Sequence, residues 1–169
     1  MPNEAAAPLI VLGVDPGLGI TGYGAVRLDG RMPRVVEAGV MRSKAANQLP
    51  ERLLTLHREF DALVREIQPS AVAVEDIYSR VKFPRTSIVM GHARGVLLLA
   101  AAAAGVDVFT YTATRVKQSV TGNGRAAKDQ VARSVVNALS LSQVPQPADV
   151  TDALAIALCH ANTIWHEVG

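Results

Sequence analysis

The sequence predicts an α/β fold in which one five-stranded mixed sheet, three antiparallel strands followed by two parallel ones, carries helices on both faces. Three strand-like runs near the start are separated only by short turns, which is typical of antiparallel strands. The rest of the chain alternates helical and strand-like periodicity, which is typical of parallel strands joined by crossovers. The 169 residues are 49% apolar and 19% charged, so they suffice for a sizeable core and exclude a disordered chain.

The three antiparallel strands are predicted from apolar and β-branched runs. Leu9 to Val14 is wholly apolar, as expected of a buried central strand. Thr21 to Leu28 follows within a few residues, and Asp29-Gly30 is a hairpin signal that returns the chain along Arg34 to Met41. We expect residues 1–8 to form a flexible N-terminal tail and residues 9–169 to form a single domain.

Helices and two further strands follow. Pro50 to Ile67 carries apolar residues at helical spacing, and its proline suits the start of a helix. Gly105 ends a long apolar helix. The remaining predicted elements are a strand at Ala71 to Val74, a helix at Thr86 to Ala104, a strand at Val106 to Tyr111, and helices at Thr114 to Val120, Ala127 to Leu139 and Ala148 to Trp165.

Composition excludes several classes of protein. The single cysteine, Cys159, allows neither an intrachain disulfide nor a four-cysteine zinc site, and it fits a reducing, cytoplasmic location. Residues 1–8 lack lysine and arginine, so they do not predict a secretory signal. The most apolar stretch, Val96 to Ala104, is far shorter than the roughly 20 residues of a bilayer span, so we expect no membrane partner.

Positive charge is concentrated in the middle of the chain. Between Arg80 and Arg133 there are nine basic and two acidic residues, whereas the rest of the chain holds eight basic and thirteen acidic ones. A basic segment beside an acidic remainder is compatible with a polyanion that meets a group of carboxylates. Charge alone leaves a second interpretation open, namely a solvated surface without a partner.

A glycine motif after the first strand invites a different interpretation. Residues 17–22 match G-x-G-x-x-G, the dinucleotide-binding fingerprint. That fingerprint requires a helix to begin at the motif, but the residues from Tyr23 to Leu28 favour a strand. We therefore interpret these glycines as a tight turn.

Four carboxylates are the strongest chemical signal. Asp15 and Glu75 each end a predicted core strand, and Asp149 and Asp152 lie three residues apart at the start of a helix. Each has an ordinary explanation, since aspartates initiate turns and acids stabilise helix N-termini. Together, without cysteine or histidine nearby, they suit Mg²⁺ or Mn²⁺, and two such ions can support phosphoryl transfer. With the basic segment, they predict a metal-dependent nuclease.

Several short sequence motifs resemble those of one protein family, and in order they span nearly the whole chain. The chain resembles the RuvC family of bacterial Holliday junction resolvases at Val14-Asp15-Pro16-Gly17, Thr21-Gly22-Tyr23-Gly24, Val74-Glu75, Gly91-His92-Ala93-Arg94-Gly95, Val116-Lys117-Gln118 and Asp149-Val150-Thr151-Asp152-Ala153-Leu154-Ala155. The resemblance implies a ribonuclease H-like fold, a homodimer, and cleavage of four-way junction DNA with two Mg²⁺ or Mn²⁺ ions per active site. It also implies handover from the RuvA–RuvB branch-migration complex during recombination and repair.

The resemblance also assigns roles to individual residues. The catalytic and metal-binding acids of the family fall on Asp15, Glu75, Asp149 and Asp152, and its DNA-contacting lysines fall on Lys117 and Lys128. An aromatic residue, commonly phenylalanine, wedges at the junction centre in the family, and here Tyr78 takes its place. The variable loop that follows supplies Arg80, Lys82 and Arg85 as expected contacts to the DNA backbone.

Two other functions share features of this sequence, and one helix predicts a dimer. An actin-like phosphotransferase shares a strand-end aspartate before a glycine-rich turn, but it normally needs a second similar domain. A non-catalytic junction-binding protein would not require four intact acids. The helix at Thr86 to Ala104 is apolar nearly all round, so we expect a second copy to cover it, with Val89 and Val96 among the exposed positions.

Overall fold

The computed structural model describes residues 8–29, 32–77 and 84–168. Every predicted helix and strand is present, with ends within two or three residues of the predicted ones. The strands are β1 (Leu9–Asp15), β2 (Ile20–Asp29), β3 (Met32–Arg42), β4 (Ala71–Glu75) and β5 (Asp107–Tyr111). The helices are α1 (Leu49–Ile67), α2 (Pro84–Ala103), α3 (Ala113–Thr121), α4 (Lys128–Ala138) and α5 (Ala148–Val168).

The five strands form one mixed sheet in the order β3-β2-β1-β4-β5. The pairs β1–β2 and β2–β3 are antiparallel, whereas β1–β4 and β4–β5 are parallel. This arrangement confirms the predicted topology. It places the most apolar strand, β1, at the centre, where both of its faces are covered.

The two faces of the sheet carry separate apolar cores. Because side chains alternate along a strand, Leu12 and Val14 of β1 pack with α1 and α2, whereas Val11 packs with α4 and α5. Phe60 of α1 and Ile156 of α5 are fully buried at the centres of these two layers. The prediction of helices on both faces is therefore confirmed.

Helix α5 lies unusually close to the sheet because glycines face it. A Cβ atom on Gly13 would lie 2.1 Å from the carbonyl oxygen of Ala153, and one on Gly22 would lie 2.0 Å from that of Asp149. Any side chain at these positions would push the helix away. The glycines therefore set the height of the first turns of α5 above β1 and β2.

Helix α2 is buried on one side only. Ala93 and Leu97 are fully buried, whereas Ile88 and Leu99 are 60% and 63% exposed. The expectation that Val89 and Val96 are exposed was wrong, since both pack partly against the core. They lie between the two sides of the helix, where the sheet and α1 still reach them.

By length and composition alone, α2 would also be able to cross a membrane. The sequence prediction, which considered only the nine apolar residues from Val96 to Ala104, did not indicate this. In the apolar window of α2 that meets this criterion, the mean hydropathy is 1.4 and 22% of the window is buried. One such helix is a weak indication of a membrane span, because core helices of water-soluble proteins meet the same criterion. The exposed apolar side of α2 is the feature that needs an explanation.

Candidate metal and nucleic-acid site

The four predicted carboxylates converge at one edge of the sheet. Asp15 and Glu75 end the adjacent parallel strands β1 and β4, each one residue beyond the paired Val14 and Val74. Asp149 and Asp152 lie in the first turns of α5. Asp15 is paired with Gly22 across β1 and β2, and Gly22 lies directly against the backbone of Asp149. The glycine contact therefore brings the helical acids to the strand-end acids.

The turn after Asp15 is closed by its own side chains. The buried Thr21 hydroxyl donates to the Gly17 carbonyl oxygen (2.5 Å) and accepts from the Gly17 N–H (3.3 Å). Ser43 donates to the Leu18 carbonyl oxygen, and Arg52 Nε donates to Ser43 Oγ at 3.0 Å. The turn leads directly into β2, so no helix N-terminus stands at the G-x-G-x-x-G motif. These hydrogen bonds fix the turn that follows Asp15, and the direct entry of that turn into β2 agrees with the rejection of a dinucleotide site.

The carboxylates repel one another in partly buried surroundings. Burial raises the pKa of Asp15 from 3.8 to about 7, and the negative charges of Asp152, Glu75 and Asp149 contribute to the rise. Burial and the charge of Asp152 also raise the pKa of Glu75. The charges of three neighbouring acids thus act on Asp15, and such clustering of acids with a raised pKa is common at functional sites.

Two lysines oppose this negative field. Burial also raises the pKa of Asp152, and the positive charges of Lys117 of α3 and Lys128 of α4 offset only part of the rise at Asp152 and at Glu75. Lys128 Nζ lies 3.7 Å from Asp152 Oδ2, and its side chain is 84% exposed. Both lysines line a cleft of about 290 Å³ together with Asp15, Glu75 and Asp152. Basic and acidic side chains thus face the same opening.

A glutamine fixes the connection between the two helices that carry these lysines. Gln118 Oε1 accepts from the Gly124 N–H at 2.9 Å, and Gln118 Nε2 donates to the Gly122 carbonyl oxygen at 2.9 Å. Gly122 ends α3 in the left-handed region with φ 77°, which favours glycine. Gln118 therefore positions Lys117 relative to Lys128, a role that sequence reasoning missed.

A second cleft of about 210 Å³ flanks Asp15 and Glu75 on the side of α2. Its other walls include Asp76, Ser87 and Met90. The strand-end acids therefore lie between a basic cleft and a less polar one.

The donor set suits a hard divalent cation, since it offers carboxylate oxygens and no sulfur ligand. Cys159 is buried in the apolar core instead. Within the described ranges 8–29, 32–77 and 84–168, no group of three or more His, Cys, Asp or Glu side chains is close enough to form a ready-made metal cage. The four acids thus lie in one region of negative charge, but their side chains are not arranged around a single ion position.

The structure describes only part of the predicted DNA-contacting loop. Arg85 lies at the start of α2 and is exposed. Tyr78, Arg80 and Lys82 lie outside the described residues. Their assigned roles stay predictions.

Comparison with known proteins gives a consistent result. A family model described as "Crossover junction endodeoxyribonuclease RuvC" matches residues 11–160. A protein of that name from Rhodopirellula baltica is 48% identical over 149 residues, covering 88% of this chain and 84% of its own. Another, from Alkaliphilus oremlandii, is 43% identical over 155 residues, covering 92% and 94%.

A solved structure extends the comparison to three dimensions. The Thermus thermophilus RuvC, solved in complex with Holliday junction substrate, superimposes with a TM-score of 0.87 at 35% identity. The match covers 94% of this chain and 96% of that one. With the five-stranded mixed sheet, this likeness supports the predicted ribonuclease H-like fold. By sequence and by structure, the chain belongs to the RuvC family of crossover junction endodeoxyribonucleases.

Proposed function

We propose that this protein resolves Holliday junctions by hydrolysing phosphodiester bonds in opposing strands of four-way DNA, during recombination and repair. The observation that carries the proposal is that Asp15, Glu75 and Asp152 line one cleft with Lys117 and Lys128, while the charge of Asp149 also acts on Asp15. Its relatives bear the name crossover junction endodeoxyribonuclease. One structural relative was solved with a Holliday junction substrate.

The four acids would hold two Mg²⁺ or Mn²⁺ ions. Such ions, when bound, lower the pKa of an attacking water and stabilise the leaving oxygen in phosphoryl transfer. The ligands must be deprotonated to bind. Because the pKa of Asp15 is about 7, occupation of the site near neutral pH would release a proton from this carboxyl group. The positive charges of Lys117 and Lys128 would meanwhile counter part of the effect of burial, which raises the pKa values of Glu75 and Asp152.

The basic residues would hold DNA by its phosphates, which position a duplex without reading its sequence. Lys117 and Lys128 stand beside the acids and would contact phosphates near the scissile bond. Arg80, Lys82 and Arg85 would contact the backbone further along, and Tyr78 would insert its ring at the junction centre. Support for these last four roles comes from the family resemblance.

A homodimer formed through α2 would account for its exposed apolar side. Ile88, Gly91, Gly95 and Leu99 recur at helical spacing on that side. A Cβ atom added to Gly91 or Gly95 would have nothing within 4 Å, so another helix can approach closely there. A four-way junction has two-fold symmetry, so two sites related by a two-fold axis would cut opposing strands.

Three further parts of the proposal rest on family membership. The protein would act in the bacterial cytoplasm, where its DNA substrate lies. It would receive junctions from the RuvA–RuvB branch-migration complex. Residues 9–169 would form its single nuclease domain, whereas the predicted N-terminal tail lies, apart from Pro8, outside the described residues.

The direct test uses a labelled synthetic four-way junction, with a linear duplex of the same sequence as control. With Mg²⁺ or Mn²⁺ we expect symmetric cuts in two opposing strands of the junction and none in the duplex, and we expect EDTA to stop cleavage. Tight junction binding without cleavage in either metal would instead favour a non-catalytic junction-binding protein. Equal cleavage of duplex and junction would contradict structural selectivity.

A further inference from the structure

One arginine connects helix α2 to the strand ends beside the acids. Arg94 Nη2 donates to Thr110 Oγ1 of β5 at 3.0 Å and lies 3.8 Å from Asp76 Oδ1. The Arg94 side chain is only 21% exposed. Its Nε is buried and, among the described residues, has no hydrogen-bond partner. Its partly buried guanidinium is therefore placed by one hydrogen bond to Thr110 and by one longer ion pair with Asp76, whose side chain is 46% exposed.

The contact with Asp76 links Arg94 to the end of strand β4. Asp76 directly follows Glu75, and its N–H donates to the Tyr111 carbonyl oxygen of β5 at 2.8 Å. The residue is therefore held through its backbone by β5 and through its carboxylate by α2. Because Asp76 adjoins Glu75 in the chain, both restraints act on the end of β4 that carries the Glu75 side chain.

The placement of Arg94 on α2 strengthens this connection. Ser87 and Met90 lie two turns and one turn before Arg94, and both line the cleft that contains Asp15 and Glu75. The same face of α2 thus forms a wall of the site and carries the arginine that restrains its edge. Arg94 is not among the residues that line either cleft beside the acids.

We propose that Arg94 is a positioning residue that holds Glu75 in place for metal binding, acting through Asp76 and Thr110. The proposal rests on the metal-binding role proposed above for Glu75. It differs from a role in packing alone, which would affect only stability, and from direct contact with a DNA phosphate, which would affect junction binding and its salt dependence.

The main variant is Arg94→Gln, and Arg65→Gln is its matched control. Arg65 also forms an ion pair, at 3.0 Å with Asp61, but it lies on α1 away from the acids. We expect Arg94→Gln to bind Mn²⁺ about tenfold more weakly, as measured by calorimetry without DNA, because residues that orient metal ligands typically contribute about 10–100-fold to affinity. The Arg65 control should bind Mn²⁺ as the wild type does.

Amide hydrogen exchange gives a readout that needs neither metal nor cleavage. In Arg94→Gln the Asp76 amide should exchange faster, because its hydrogen bond to Tyr111 loses the support of the side-chain contact. Arg94→Lys should restore part of the protection and part of the Mn²⁺ affinity, since it keeps the charge but loses the planar fork. Light scattering should show the same oligomeric state in all of these proteins.

Two further variants keep the test informative if Arg94→Gln does not fold. Asp76→Asn and Thr110→Val each remove one partner of Arg94, and each should weaken Mn²⁺ binding in the same direction. Adding Asp76→Asn to Arg94→Gln should weaken it little further, because the two changes break one connection.

Two results would overturn the inference. Lower thermal stability with unchanged Mn²⁺ affinity and unchanged exchange at Asp76 would make Arg94 a packing residue. A changed salt dependence of junction binding with unchanged Mn²⁺ affinity would make it a phosphate contact. Failure of the wild type to cleave junctions would contradict the proposed function instead, and the exchange measurement would still test Arg94.

Discussion

Replacing Asp15 with asparagine should make the metal-free protein more stable while abolishing its cleavage activity. Burial and three neighbouring acids raise the pKa of Asp15 from 3.8 to about 7, so the fold disfavours its charged form. At about 1.36 kcal/mol for each pH unit, this difference amounts to about 4 kcal/mol of destabilisation once the group is ionised in both states. The amide that replaces this carboxylate would carry no charge to desolvate, so we expect a gain of about 2–4 kcal/mol at pH 8.

The gain should depend on pH in a defined direction. A carboxyl group whose folded-state pKa is raised stabilises the fold fully only below its unfolded pKa of 3.8, and this stability is lost as the pH rises through about 7. At pH 5 the group is still protonated in the folded protein, so the advantage of Asp15→Asn should fall to about 1–2 kcal/mol.

Urea unfolding in EDTA at pH 8 and pH 5 measures both values. Asp107→Asn is the control, because Asp107 is an exposed carboxylate at the opposite end of the sheet, where β5 begins. Its replacement should change the free energy of unfolding little at either pH. Excess Mg²⁺ or Mn²⁺ should then stabilise the wild type more than Asp15→Asn, since the variant lacks one of the four proposed ligands.

A variant that is no more stable than the wild type at pH 8 would refute the reasoning. So would a gain that is the same at pH 5 as at pH 8. Either result would mean that burial and the three neighbouring acids do not raise the pKa of Asp15 in the folded protein, and the case for a shared metal site would lose its electrostatic support.

The same geometry leads to three other expected outcomes. Gly22→Ala should destabilise the protein by about 1–3 kcal/mol in urea unfolding and weaken Mn²⁺ binding, because its Cβ would lie 2.0 Å from the Asp149 carbonyl oxygen; wild-type values would contradict the close packing of α5. Lys117→Ala and Lys128→Ala should each reduce the slope of log K against log salt for DNA binding by about 0.9, and unchanged slopes in both would exclude phosphate contacts. Leu99→Glu should give monomers in light scattering and single rather than paired cuts in a supercoiled plasmid carrying a junction, since Leu99 is 63% exposed and the change does not disturb the core. A stable Leu99→Glu dimer would place the interface elsewhere.

Much of this fold follows from local patterns in the sequence. The apolar run from Leu9 to Val14 is typical of a central strand, and the Asp29-Gly30 signal placed its neighbours in a meander. The ends of β1 and β4 were predicted from the residues at which the apolar run of each strand stops. Since parallel neighbours end at the same edge, the sequence alone was enough to predict that Asp15 and Glu75 share a site.

Contacts between distant segments were less accessible. Nothing near Gly22 in sequence indicates that it lies against Asp149, because that contact depends on how α5 packs across two strands. The hydrogen bonds of Gln118 to Gly122 and Gly124 depend likewise on the path of one turn.

The orientation of α2 was also misjudged, for a physical reason. A helix that is apolar nearly all round has no clear amphipathic stripe from which to read its buried face. Only the packing against α1 and the sheet decides that Val89 and Val96 turn partly inward while Ile88 and Leu99 stay exposed. The role of Arg94 depends on the same orientation, so it too required the structure.

The central claim is that the four acids are required for cleavage of the DNA, whereas other residues bind it. The most direct test measures binding and cleavage on one labelled four-way junction for Asp15→Asn, Glu75→Gln, Asp149→Asn and Asp152→Asn, with Asp107→Asn as control. Each of the four variants should bind the junction within a few-fold of the wild type and cleave it at least a hundredfold more slowly in saturating Mg²⁺, while the control should do both normally. Cleavage at the wild-type rate by any of the four would remove that acid from the site and contradict the account.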